Sequence, residues 1–432
     1  MTARALTDRY GTEVSTLPGG ADAEDIRIAA LRRVDELGLP HRRLPTWHYT
    51  DLTSLAALDL EYVGASPDQQ LLDKARTQLK TLALDVNAPC FVFIDGHLTD
   101  ALSTVLEMRG LAVATLADQT TQLLSPPSQD ETALQSLNTA FVRSALLFQV
   151  SAQLNAPLQL VWFNSGTAQA SQQKLRIELA ADARAEVAQY FIDIDPAGDG
   201  WLNQVLEIDQ APGSEMSLFR LQSLATNAMQ TTLTRATLAS NARLTACSME
   251  LGGALVRNEI LVGMNGAKAH ADLSGLTLTR SDQHSDTRIA IEHAAPHTTS
   301  HQTFRSLADD NSRCVFNGKV TIHKDAQHID ARQKSDNLLL SESAEIDTKP
   351  ELEIYADQVA CSHGATVGEL SDDHLFYLRS RGIDAILARR ILTTAFAEVI
   401  LTQIANMQFQ AQARNAVHKC LPGHLDEATL NS

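Results

Sequence analysis

From about Lys174, helical periodicity disappears for almost 190 residues, and short alternating apolar stretches take over. They read LRIEL, VAQYFIDI, LNQVLEI, LVRNEILV and CVFNGKVTI, and small or polar corners separate them. The corners are Asp182-Ala183, Pro212-Gly213, Asn241-Ala242, Asn265-Gly266, Ala295-Pro296, Asn311-Ser312, Asp325-Ala326 and Ser343-Ala344. Many of their spacings lie near one or two units of about 14 to 15 residues. A β-sandwich would turn every ~8–12 residues with Greek-key irregularity. A quasi-period of short strands and small corners instead favours a β-solenoid, in which each coil stacks only on its neighbours.

The flanks have a different texture. Ala21 to Leu37 carries helical spacing through Ile26, Ile28, Leu31, Val34 and Leu37, and Gly38 is placed to end it. Leu39 to Thr53, with two prolines, reads as an extended connection. Leu71 to Leu84 and Thr132 to Leu154 read as helices, and Cys90 to Asp95 and Leu158 to Trp162 as strands. After the β region, Ser371 can cap a helix over Asp372 to Arg379, and Gly382 breaks it. Asp384 can cap one long helix from Ala385 to about His418, with an apolar stripe that includes Ile386, Leu387, Ile391, Phe396, Ile400 and Ile404; Pro422-Gly423 ends it. Such helices would cover the bare edge of a last coil. The expected organisation is therefore an N-terminal helical and α/β region over 1–170, a β core over 171–368 and a C-terminal helical domain over 369–432.

Composition narrows the function classes. The 432-residue chain has a formal charge of -17, which repels nucleic acid and anionic membrane, so neither is expected as a partner. Aromatics at 5% argue against a base-stacking surface. The N-terminus has no apolar core of a secretory signal, and no apolar run reaches the ~18 residues of a membrane span. Five scattered cysteines, never in CxxC spacing, speak against a disulfide framework or closed zinc site and point to a reducing cytoplasm. The chain has no GxxxxGK[ST], GxSxG, HExxH or dinucleotide fingerprint, so no ATP site of its own is expected and nothing assigns a flavin.

Chemistry concentrates in Glu351 to Gly382. A strand pattern (Leu352, Ile354, Tyr355) leads into Cys361 and His363. In an extended segment residues i and i+2 share a face, so a thiolate and an imidazole would stand side by side, a pair suited to iron or another borderline-soft metal. The alternative is packing for Cys361 and an ordinary hydrogen-bonded histidine in the last coil for His363. His293, His297 and His301 recur every four residues, which on a helix would make a metal face. Pro296 and the β context argue against a helix, so they read as a polar corner or subunit surface. His323 and His328 lack matched spacing. The clustered carboxylates Asp309-Asp310 and Asp372-Asp373 read as a solvated corner and a helix start.

The run CSHGATVG followed by LFYLRSRGI, with DTKPELEIYAD upstream, resembles the C-terminal signature of the SufB/SufD family, the scaffold subunits of the Suf iron–sulfur cluster assembly system. Phe316-Asn317-Gly318, Asn337-Leu338-Leu339 and Pro45-Thr46-Trp47-His48-Tyr49-Thr50-Asp51 extend the resemblance, whereas about 65 to 165 carries no matching motif. The resemblance implies a mainly β fold with a right-handed parallel β-helix core. It implies a non-catalytic scaffold that joins a SufB-type paralogue through the β-helix and a SufC-type ABC ATPase through the C-terminal helices. His363, and with it Cys361, would hold iron or a transient cluster at the subunit interface. Ser341 to Glu345 has no thiol where SufB receives sulfur, which places the chain nearer the SufD branch. The rival readings are a β-solenoid carbohydrate-active enzyme, with acidic pairs on a solenoid face, and a homodimeric interaction protein.

Overall fold

The structure is a computed structural model that describes residues 17–52, 55, 60, 61, 66–195 and 198–421. Its N-terminal elements are α1 (Gly20–Leu37), a 3-10 turn at Pro45–Trp47, α2 (Gln69–Thr81), β1 (Cys90–Ile94), β2 (His97–Leu98), β3 (Leu111–Thr115), α3 (Thr120–Leu123) and α4 (Ala133–Phe141). Strands then follow without interruption: β4 (Ser144–Val150), β5 (Leu158–Asn164), β6 (Ala170–Leu179), β7 (Arg184–Asp193), β8 (Gly200–Gln210), β9 (Glu215–Ser223), β10 (Ala228–Leu238), β11 (Arg243–Glu250), β12 (Leu255–Met264), β13 (His270–Thr279), β14 (His284–His293), β15 (Thr299–Ala308), β16 (Arg313–Ile322), β17 (Ile329–Leu339), β18 (Glu345–Ile354) and β19 (Val359–Glu369). Three helices close the chain: α5 (Asp372–Ser380), α6 (Ala385–Leu401) and α7 (Met407–Cys420).

From β5 onward odd-numbered strands build one sheet, and from β4 onward even-numbered strands build the other, all parallel along each sheet. This is the expected mainly β solenoid, about 8 turns long. The half-coil corner spacing becomes a full-coil register: Leu255 pairs with His284 and His284 with Arg313, 29 residues on each time. Along each strand burial alternates. In β16, Cys314, Phe316, Val320 and Ile322 are buried while Asn317, Lys319 and Thr321 are partly exposed, so one face looks into the coil and the other outward.

The corners stack as regularly as the strands. Asp182, Gly213, Asn241, Lys268, His297 and His328 all have positive φ, between 59° and 74°. Each donates its backbone N–H to a carbonyl in the next coil, as in Lys268 to Pro296 O (3.1 Å) and His297 to Gln327 O (2.9 Å). Such left-handed turns favour glycine and asparagine; here the coil-to-coil hydrogen bond holds histidine and lysine in the same conformation.

Two expected boundaries move. The helix expected over Thr132–Leu154 ends at Phe141, and Ser144–Val150 is strand, paired with β6 and with β3. Its run SALLFQV is apolar on both faces, so periodicity alone does not separate strand from helix. The single long C-terminal helix is two helices: Asn406 caps α7 by accepting from Phe409 N–H, and Arg414 bridges to Glu398 at 2.8 and 3.0 Å, turning α7 back on α6. Pro422-Gly423 lies outside the described residues.

The C-terminal helices also sit elsewhere than over the last coil. α6 and α7 cover the outer face of the odd-numbered sheet, where Leu221, Leu276, Leu307 and Leu338 join Ala397, Ile400, Phe409 and Val417 in one apolar cluster. Phe409 stacks on Phe219 at 5.3 Å, and Arg305 lies over Phe396 at 4.4 Å while donating to its carbonyl. The outward leucines of β13, β15 and β17 explain the preference: the apolar stripe of α6 finds more surface on this flank than on the coil end.

Candidate functional site at the open end of the solenoid

Among the described residues β18 and β19 are the terminal strands of their sheets, each paired on one side only. Cys361 lies in register with Ala331, and His363 with Gln333. Ala331 and Gln333 are interior residues, 1% and 3% exposed. Cys361 and His363 therefore occupy the interior face of a coil on which, among the described residues, no further coil is laid. Across the mouth, Thr348, Pro350 and Leu352 of β18 follow the buried Phe316, Gly318 and Val320 in register. Leu352, Val359 and Cys361 pack on the main core. Thr348 Oγ1 donates to Ser335 Oγ at 3.1 Å.

The shared face expected for Cys361 and His363 is thus present, but their environments differ. His363 is exposed and Cys361 half-buried. Burial raises the Cys361 thiol above its ordinary range, the backbone hydrogen bond to Ala331 opposes that, and the charge of Asp330 adds to it. The free chain holds a thiol there, and a metal binding at this sulfur must displace the proton. One sulfur and one imidazole nitrogen leave a tetrahedral iron short of ligands. The mouth thus offers, from Cys361 and His363, two of the donors that such an ion takes.

The three histidines of the four-residue series, His293, His297 and His301, do not converge on one another. His293 is fully buried at the end of β14, its ring nitrogens 2.7 Å from Thr298 Oγ1 and 2.9 Å from Ser300 Oγ. His297 is a corner residue stacked on His328 at 4.7 Å, one coil on. His301 faces outward on β15. The expected polar corner holds for His297, whereas His293 is interior.

The N-terminal TWHYTD element is built into the structure. Arg257 stacks over Trp47 at 4.1 Å, donates to Thr46 O at 2.6 Å and pairs with the buried Asp286, which also accepts from Thr50 Oγ1. The sequence places Ile386 in an apolar stripe but does not single out Phe376 and Tyr377 of α5; all three are outward, 65%, 74% and 57% exposed. The Phe376-Tyr377 pair beside two helix caps was the signal.

The family model for the SUF system FeS cluster assembly SufBD core domain matches residues 162–396. The iron-sulfur cluster assembly protein SufD of Escherichia coli (strain K12) is 30% identical over 399 residues, 91% of this chain and 92% of that protein. An iron-sulfur cluster assembly SufBD family protein of Synechocystis is 29% identical over 410 residues, 90% of this chain and 89% of that protein. The chloroplastic protein ABCI7 of Arabidopsis thaliana is 30% identical over 273 residues, 60% of this chain and 57% of that protein. With a core model covering more than half of its length and a SufD relative matched nearly end to end, the chain belongs to the SufB/SufD family of the Suf iron–sulfur cluster assembly system.

Proposed function

We propose that this chain is a non-catalytic scaffold subunit that joins a SufB-type paralogue at its open solenoid end and carries a SufC-type ABC ATPase on α5 and α6. The observation that carries the reading is the unfinished coil. β18 and β19 present 10 and 11 residues of edge, a row of N–H and C=O groups ready for strand addition. The mouth between them holds Cys361 and His363, which form half of a ligand set. A paralogue seated there completes the set, receives sulfur on its own thiol and shares the nascent cluster, with iron as cargo rather than resident cofactor. The exposed Phe376, Tyr377 and Ile386 suit the ATPase, whose nucleotide cycle moves the paired scaffolds. The cytoplasm, with its reduced thiols, is the compartment that fits.

The test is anaerobic co-expression of this chain with the ATPase and the paralogue from the same genome, followed by size-exclusion with subunit stoichiometry. The reading expects one complex containing all three, and cluster content that falls in His363→Ala. A chain that elutes alone, or as a homodimer with no affinity for either protein, would sink it.

A further inference from the structure

We propose that His270, Asp272 and His301 form a second metal site, on the outer face of the odd-numbered sheet, for a divalent first-row transition ion. The three side chains come from two adjacent strands. His270 and Asp272 are i and i+2 on β13, and Asp272 is in register with His301 on β15. Their candidate ligand atoms all lie within 4.8 Å of one another. His270 Nε2 is 2.6 Å from Asp272 Oδ2, and His301 Nδ1 is 3.0 Å from Asp272 Oδ1. The imidazoles stand edge to face, with centroids 5.7 Å apart.

Two imidazole nitrogens and one carboxylate oxygen, with positions left open, are the donor set used for divalent iron, zinc and their neighbours. The backbone preorganises it, because both strands are hydrogen-bonded within a stacked sheet. The side chains are 18%, 44% and 41% exposed, so an ion can enter while part of the surroundings excludes water. With neutral imidazoles the trio carries one negative charge, on a chain whose formal charge is -17. Two cations flank the trio along the register: Arg332, opposite His301, is held on its own strand by Asp330 through two contacts of 2.9 Å, and the exposed Arg243 lies opposite His270. In the free chain the facing ring N–H groups donate to Asp272. An entering ion replaces those hydrogen bonds: in a neutral ring the facing proton is lost to water while the far nitrogen takes one up, and a doubly protonated ring releases its facing proton and keeps the far one.

The site is distinct from the mouth of the solenoid. It lies on the outer face of the sheet, whereas Cys361 and His363 lie on the inner face, so one ion cannot touch both groups. It does not depend on the scaffold reading. The sequence signal is also separate: residues 272 and 301 are one 29-residue coil step apart.

The experiment is a titration of the untagged full-length chain with Co(II), followed by visible absorption and calorimetry. One equivalent with the ligand-field bands of a nitrogen–oxygen site is expected. Asp272→Asn and His301→Gln should each weaken it at least tenfold, while the double variant Cys361→Ala/His363→Ala retains it. Thermal melting checks each fold, and if Asp272→Asn melts early, the half-exposed His301→Gln decides. Absence of Co(II) binding by the native chain overturns the proposal. So does native affinity in the folded His301→Gln variant, or loss of the equivalent in the Cys361/His363 variant.

Discussion

At its N-terminal end the solenoid is closed by its own chain. The two-residue β2 turns back antiparallel on β1, and β3 runs antiparallel to β4, ending the two sheets with short or reversed strands. Inside, Phe93, Trp162 and Phe191 stack at 5.4 and 4.7 Å. α1, α4 and Trp47 cover the outer face of the early even-numbered strands, burying Ala170, Trp201 and Met229. At the C-terminal end the same architecture stops with long parallel edges, and of the residues that continue the interior columns Thr348, Pro350, Leu352 and Cys361 are half-buried and His363 is exposed. Exposed strand edges are ordinarily blunted because they invite association. The protein blunts one end, and leaves at the other a mouth that contains a thiol and an imidazole. The covered end serves stability; the open end is where a partner can act.

Predictions follow from that contrast. The largest effect should come from Asp286→Ala, which leaves the buried Arg257 with Glu259 as its remaining carboxylate and unpins the TWHYTD element; a loss of about 3–5 kcal/mol is expected in urea unfolding. Trp162→Ala opens a cavity in the closed end and should cost about 3–5 kcal/mol by the same measurement. His293 supplies a pH test. Burial lowers its pKa to about 4, below the ordinary 6.5, so the unfolded chain binds its proton first as pH falls. Stability is therefore intact above about pH 6.5 and declines toward pH 4, by at most about 3 kcal/mol, and His293→Gln should flatten that limb. Phe376→Ala should change folding stability by less than about 0.5 kcal/mol yet weaken ATPase capture by about 2 kcal/mol in a binding assay. His363→Ala should have the smallest effect on folding, within about 0.5 kcal/mol, while lowering the cluster content of the assembled complex. If His363→Ala instead unfolds the chain as Trp162→Ala does, the two ends are not the different regions described here.

The coil repeat was legible because each strand carries its own alternation and each corner its own small residues, so local rules repeat down the chain. Cys361 and His363 were legible for the same reason: their shared face is a property of two residues on one strand. Ser144–Val150 was not, because a strand buried on both faces has no alternation to display. The break after Leu401 was not, because the choice depends on Phe409 reaching Phe219 and Arg414 reaching Glu398. His301 read as a member of a four-residue histidine series, yet its neighbour is Asp272, set by the coil step rather than by nearby spacing.

Local patterning alone thus determined an all-β core with helical flanks, favoured a solenoid for it, and fixed which two residues share a face near its end. The tertiary structure decided which positions end up uncovered. Exposure depends on where the stacking stops and where the helices find the most apolar surface, and both are properties of the folded whole. α6 and α7 settle on the flank over Leu276, Leu307 and Leu338, and for that reason they leave the last coil, with Cys361 and His363, uncovered among the described residues.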